Sequence, residues 1–298
     1  MGGGLYSVSS RADRAADMGY LNMSKEEIFT KSNTTVAMNP NGVKIRESRD
    51  SDEHPDSVPI ILALDVTASM GDIPYHMVRE GLPQVMGGII QSGIPDPQLM
   101  IMGIGDHECD GSPLQIGQFE SSDELIDKWL TDMFLEGGGG GNYGESYHLA
   151  WYFAAMHTVT DRYEKRGKKG FLFTIGDEPV LDWLPGNSLP GIMGHGQYGD
   201  YTANQLLSMA SEKYDVYHIH VTETMAGRRR DTIDKWKQLM GDNLIILDDH
   251  RDISKKIAEV VVGGVKSEYD TGITPIQESP TTGPETDDID EPGTGDML

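Results

Sequence analysis

The stretch from Ile60 to Gly71, IILALDVTASMG, restricts the fold more than any other part of the chain. Its aliphatic run has no polar alternation, so it suits a strand buried on both faces, the kind found inside parallel sheets. The run ends in Asp65, Thr67 and Ser69, an aspartate and two hydroxyls at alternate positions. Open α/β sheets bind ligands at the carboxyl ends of their strands, which is where these oxygens fall. Ser69 or Asp72 could instead cap a following helix, and the two roles are compatible.

Other segments repeat the theme. VPIILALD (58–65), QLMIMGIG (98–105), LQIGQFE (114–120), GFLFTIGD (170–177), VYHIHVT (216–222) and NLIILD (243–248) read as strands. Helices are expected near 75–91, 123–134, 144–160, 202–213, 232–240 and 252–262, with Pro83 kinking the first. Within 123–134, Leu125, Ile126, Trp129, Leu130, Met133 and Phe134 share one helical face behind a Ser121–Glu124 capping box. This alternation predicts an α/β fold, doubly wound, with a mostly parallel central sheet and helices on both faces. Only DHECDGSP separates 98–105 from 114–120. That is too short for a parallel crossover, so the second of these should be an antiparallel edge strand.

Such a topology brings three connections to one rim of the sheet. The hairpin turn carries Asp106, His107, Glu108 and Asp110; the loop EGGGGGNYGES carries Asn142 and Glu145; the third connection starts at Asp177. Two carboxylates, two hydroxyls and an amide oxygen make an all-oxygen set that suits a hard cation. Mg²⁺ would complete its shell with water or a partner's carboxylate, whereas Ca²⁺ recruits more carboxylates and carbonyls. Zinc would call for Cys or His, of which these loops offer only His107 and Cys109.

The flanks differ in character. Residues 1–56 form a polar N-terminal extension, expected to be partly ordered, with a short helix at SKEEIF opened by a Ser24–Glu27 capping box. The domain proper spans 57–265. Residues 266–298 are rich in Pro, Thr, Gly and acids, the composition of a disordered acidic tail. The formal charge of -24, from 48 acidic and 24 basic residues, disfavours nucleic-acid backbones and favours cations and basic partners. The single cysteine, Cys109, cannot form an internal disulfide, and no apolar run is long enough to span a bilayer. With no signal-peptide pattern at the start, a cytoplasmic location is expected, or expression inside a cell as part of a phage.

Taken together, Asp65-Val-Thr-Ala-Ser69, GIGDHECDG, FESSDELIDKWL, GGGGGNYGESYHLA and Asp177 resemble the von Willebrand factor type A (vWA) family over roughly residues 57–265. The likeness is greatest to microbial and phage-type members. That resemblance implies a metal-ion-dependent adhesion site (MIDAS) with Asp65, Thr67 and Ser69 as its first motif and Asp177 as its third. The second motif departs from the family, since Gly141-Asn142-Tyr143 stands where a threonine is usual. Some relatives carry a Gly-rich loop followed by Glu, so Asn142 is the expected stand-in. Asp106, His107, Glu145, Glu178 and Trp183 are expected at the rim or behind the ligands, Trp183 lying in a long Gly/Pro-rich insertion after Asp177.

The resemblance implies a non-catalytic module in which Mg²⁺ (or Mn²⁺ or Ca²⁺) offers an open position to a partner's Asp or Glu. In microbes such modules often work beside AAA-type ATPases. A Mg²⁺-dependent phosphohydrolase is the alternative reading, and a structural subunit of a phage or bacterial assembly is another. Against the enzyme, Thr67 stands where a haloacid-dehalogenase pattern needs a second aspartate, and no P-loop or Gly-x-Ser-x-Gly elbow is present. His218 and His220 alternate on one strand and read as hydrogen-bonded core histidines. Trp129, Trp151 and Trp236 read as core.

Overall fold

A computed structural model describes residues 6–19, 22–94, 96–136 and 142–270. The expectations for the glycine run 137–141 and for residues 271–298 lie outside them. The central sheet has six strands: β1 (Val58–Asp65), β2 (Pro97–Ile104), β3 (Leu114–Ile116), β4 (Gly170–Gly176), β5 (Tyr214–Val221) and β6 (Leu244–Leu247). Their order is β6-β5-β4-β1-β2-β3, parallel throughout except for β3, which runs antiparallel to β2 at the edge. The doubly wound α/β expectation therefore holds.

Burial on both sides explains the unbroken aliphatic runs. In β1, Ile60, Leu62 and Leu64 enter one core, while Ile61 and Ala63 enter the other. Ile60, Ile61, Leu62 and Leu64 are fully buried, each contributing roughly 1.5–3 kcal/mol relative to exposure. The first core is closed by helices Leu82–Gln91, Asp123–Thr131 and Ile253–Asp270. The second is closed by helices Tyr147–His157, Ala203–Ala210 and Arg230–Met240, with Trp151 and Trp236 at its centre.

Several boundaries move. Strand β3 is only three residues long, and Glu120 rejoins β2 through one isolated bridge to Leu99. Helix 123–131 is capped by Ser122, which accepts from the Leu125 N–H, and not by the expected Ser121. Around Pro83 the helix widens into a π segment, Met77–Gly81, just before the residue that lacks an N–H. The last helix continues to Asp270, so the tail does not begin at 266.

The N-terminal extension is more structured than its polarity suggests. The Ser24–Glu27 capping box is present, and Ile28, Phe29 and Met38 are buried. Arg46–Ser48 pairs in parallel with Thr158–Thr160. Helix Val8–Met18, unanticipated from sequence, is fastened by a buried ion pair. Arg11 Nε donates to Asp127 Oδ1 at 3.0 Å, and its Nη2 donates to the Val78 carbonyl. Arg14 Nη2 reaches Asp127 Oδ2 at 3.2 Å. Asp127→Ala should therefore lower the unfolding free energy by about 3 kcal/mol, because a buried guanidinium loses its carboxylate. Urea denaturation measures this, and a loss under about 1 kcal/mol, the range of a surface pair, would contradict the anchoring role.

Candidate functional site

Strands β1 and β4 are neighbours, so Asp65 at the end of one and Asp177 just past the other meet at the carboxyl edge of the sheet. Both are completely buried. The turn after Asp65 folds back on it: the Thr67 N–H and the Thr67 hydroxyl both donate to Asp65 Oδ1, at 2.9 and 2.6 Å. Ser69 Oγ donates to Asp177 Oδ1 at 2.9 Å. Each hydroxyl proton is thus committed to a carboxylate, yet the two hydroxyl oxygens lie 3.2 Å apart. They present lone pairs to the same small space, an arrangement that a cation would stabilise.

Behind the pair, the Tyr147 hydroxyl donates to Asp65 Oδ2 at 2.8 Å. Burial, then the neighbouring Asp177, pushes the Asp65 carboxyl up to about 7, against the pull of the hydrogen bonds from Thr67 and Tyr147. The second oxygen of Asp177 is buried without a hydrogen-bond partner.

Glu145 approaches from the glycine-rich connection. Gly144 adopts φ +138°, where a side chain would be strained and would meet the Pro179 carbonyl. The Glu145 N–H donates to Pro179 O at 2.9 Å, and Leu181 N–H donates to Glu145 O at 3.0 Å, which ties this segment to the one following Asp177. Burial raises the Glu145 carboxyl to about 10, and Asp65, Asp110, Asp106 and Glu178 all push in the same direction. Its Oε2 is buried and unpaired, as are Asp106 Oδ2 and Glu178 Oε2. Burial, then Asp177, raises the Glu178 carboxyl, and Arg229 partly offsets this.

Asn142 is exposed, and its amide nitrogen donates to Glu108 Oε2 at 2.6 Å. It makes no hydrogen bond to the Asp65–Ser69–Asp177 group among the described residues. Asp106 is held by the hairpin turn, accepting from the Glu108 N–H at 2.9 Å. The His107 N–H donates to Ser146 Oγ at 2.9 Å, and its Nδ1 lies 2.7 Å from the same oxygen. Trp183 sits in a short hairpin and is 48% exposed. His218 and His220 are buried; His218 Nδ1 lies 2.9 Å from Thr174 Oγ1 and His220 Nε2 lies 2.8 Å from the Gly227 carbonyl oxygen, as core histidines.

Two contributors were not read from the sequence. Tyr147 opens a helix whose residues look uniformly apolar, and no spacing rule marks it. Gly176 precedes Asp177, and a Cβ there would overlap the Tyr147 phenol oxygen.

The donor set fits a hard divalent ion. Its groups are oxygens, Asp177 Oδ2 is buried and unpaired, as is one oxygen each of Asp106, Glu145 and Glu178 around it, and no ion pair engages Asp65, Glu145 or Asp177 among the described residues. Among the described residues, Glu223, Asp249 and His250 are the group of three His, Cys, Asp or Glu that brings one ligand atom each within 4.8 Å of the others; Asp65, Asp177 and Glu145 do not close to that distance. There, however, Asp249 is taken up by Arg251 and Glu223 Oε2 by His250 Nδ1 at 2.6 Å. No helix among the described residues is long and apolar enough to cross a membrane.

No protein-family model matches the chain, and no curated protein matches it. Solved structures do align with it. The pilus adhesin SpaC from Lactobacillus rhamnosus GG, in its open conformation, aligns over 72% of this chain and 31% of its own, at 14% identity and a TM-score of 0.47. Proximal thread matrix protein 1 from the mussel byssus aligns over 73% and 48%, at 11% identity and a TM-score of 0.44. The chain thus spans about a third of the adhesin and about half of the byssus protein. At these values the alignments bear on neither family nor function.

The carboxyl chemistry sets a pH dependence. An unfolded aspartate ionises near 3.9, whereas Asp65 in the fold holds its proton to about 7. Between those values the folded state binds more protons, so the contribution of Asp65 to stability falls as pH rises from about 4 to about 7. In EDTA, the stability of wild type minus that of Asp65→Asn should decline across this window and level off above it. Buried neutral histidines slope the other way but are common to both proteins and cancel. Denaturant titrations at pH 5 and pH 8 measure the difference, and an equal difference at both would contradict the burial argument.

Proposed function

We propose that the chain is a divalent-cation-dependent protein-binding module of the vWA type. Asp65, Thr67, Ser69 and Asp177 would hold the ion, with Glu145 behind them as the acidic contribution of the glycine-rich connection, while Asn142 is turned to Glu108. The observation that carries this reading is the pair of hydroxyl oxygens, Thr67 and Ser69, 3.2 Å apart with their protons directed at Asp65 and Asp177. Mg²⁺ suits so few direct carboxylates, with Mn²⁺ or Ca²⁺ as substitutes. When bound, the ion supplies a localised positive charge in an otherwise acidic rim, able to attract one carboxylate of a partner protein.

The residues of the chain divide the remaining work. Asp65 orients Thr67 and Asp177 orients Ser69, while burial excludes competing water. Asp65 has both oxygens engaged, Oδ1 by Thr67 and Oδ2 by Tyr147. That suits an orienting carboxylate better than an attacking nucleophile, and so favours a binding role over phosphoryl transfer. The partner is an Asp- or Glu-bearing protein, and a subunit of an AAA-type ATPase system is one such candidate.

Mg²⁺ at a hundred times its dissociation constant should stabilise the protein by about 2.7 kcal/mol. Asp65→Ala and Asp177→Ala should abolish that shift while leaving circular dichroism unchanged. Partner capture should require Mg²⁺ and fail in EDTA and in both variants. Mg²⁺-dependent turnover of a generic phosphate ester that disappears in Asp65→Ala would overturn the binding reading, and stabilisation by Mg²⁺ with no Mg²⁺-dependent partner would point to a structural ion.

A further inference from the structure

We propose that Tyr147 is a positioning residue that holds Asp65 Oδ2 away from the ion position and thereby biases the site toward Mg²⁺ over Ca²⁺. The inference rests on the cation reading above and adds what sets its selectivity. The phenol and the carboxylate are both fully buried, and the bond between them is 2.8 Å. A carboxylate grips an ion with both oxygens only when both can turn toward it. Here Oδ2 is held back toward the second core, while Oδ1 is shared with Thr67 at the turn.

The phenol has little freedom to release that oxygen. Its ring stands edge-on to His218 and to Trp236, with centroids 5.2 and 5.4 Å away. His218 and Trp236 are themselves stacked within 11° of parallel. The Trp236 indole also donates to Glu178 O at 3.0 Å, so one aromatic bracket braces the phenol and the backbone beside Asp177. Gly176 leaves the space that the phenol oxygen occupies, since any Cβ there would overlap it. Mg²⁺ takes single oxygens in an octahedral shell, whereas Ca²⁺ gains from bidentate carboxylates and higher coordination. A site that denies the bidentate grip therefore penalises Ca²⁺.

The test compares the full, metal-stripped chain with Tyr147→Phe by calorimetric titration of Mg²⁺ and of Ca²⁺. Wild type should favour Mg²⁺, and in Tyr147→Phe the ratio of the Ca²⁺ to the Mg²⁺ dissociation constant should fall about tenfold, the scale of one hydrogen bond to a charged group. A merely structural role would weaken both ions alike. An unchanged ratio in a folded Tyr147→Phe overturns the proposal. Should that variant not fold, infrared carboxylate bands of Ca²⁺-loaded wild type minus Asp65→Asn decide: a single-oxygen signature supports it and a bidentate one overturns it. Wild type that binds neither ion would instead sink the cation reading itself.

Discussion

Two buried carboxylates facing each other at adjacent strand ends are the constraint on which the rest of this structure turns. Asp65 and Asp177 cannot both be charged and remain dry without compensation. The chain supplies part of it through Thr67, Ser69 and Tyr147, but these are neutral donors. With Glu145 and Asp106 adding buried, unpaired carboxylate oxygens to the same rim, the edge can ionise fully only where positive charge is brought to it, and without that its carboxyls hold protons, Glu145 up to about 10. A divalent ion is the resolution proposed here, and the hydrogen bonds from Thr67 and Ser69 to the two carboxylates are compatible with one.

Every packed element around the rim serves that placement. The β1–β4 pairing sets the two aspartates side by side. The aromatic bracket of Tyr147, His218 and Trp236 fills the second core directly beneath them. Backbone bonds between Glu145 and the Pro179–Leu181 segment draw the glycine-rich connection down to the site. Rigidity of this kind would keep the oxygens in place for the proposed ion and limit the reorganisation that binding would cost.

Much of the fold was legible because its strands are buried on both faces. Continuous aliphatic runs are a strong signal, and the short 106–113 connection forced the antiparallel edge. The Asp-x-Thr-x-Ser spacing was legible for a related reason, since a carboxylate directly after a buried strand is costly unless it has a task. What could not be read was contact across elements. Helix Val8–Met18 is polar and is held by Arg11 on Asp127, a partner 116 residues away. Asn142 looked like a ligand from its place in the loop, but its amide nitrogen bonds Glu108, a contact between loops that spacing along the chain does not reveal. Tyr147 carries no sequence mark because its role depends on the absent side chain at Gly176.

The central claim is that the oxygens of Asp65, Thr67, Ser69 and Asp177 surround one hard cation. Anomalous diffraction from crystals of the full chain grown with Mn²⁺ tests it directly. The account expects a manganese peak bonded to the Thr67 and Ser69 hydroxyls at about 2.2 Å, the range for a small octahedral cation. A peak found only among Glu223, Asp249 and His250, with none at the Asp65 rim, would contradict it.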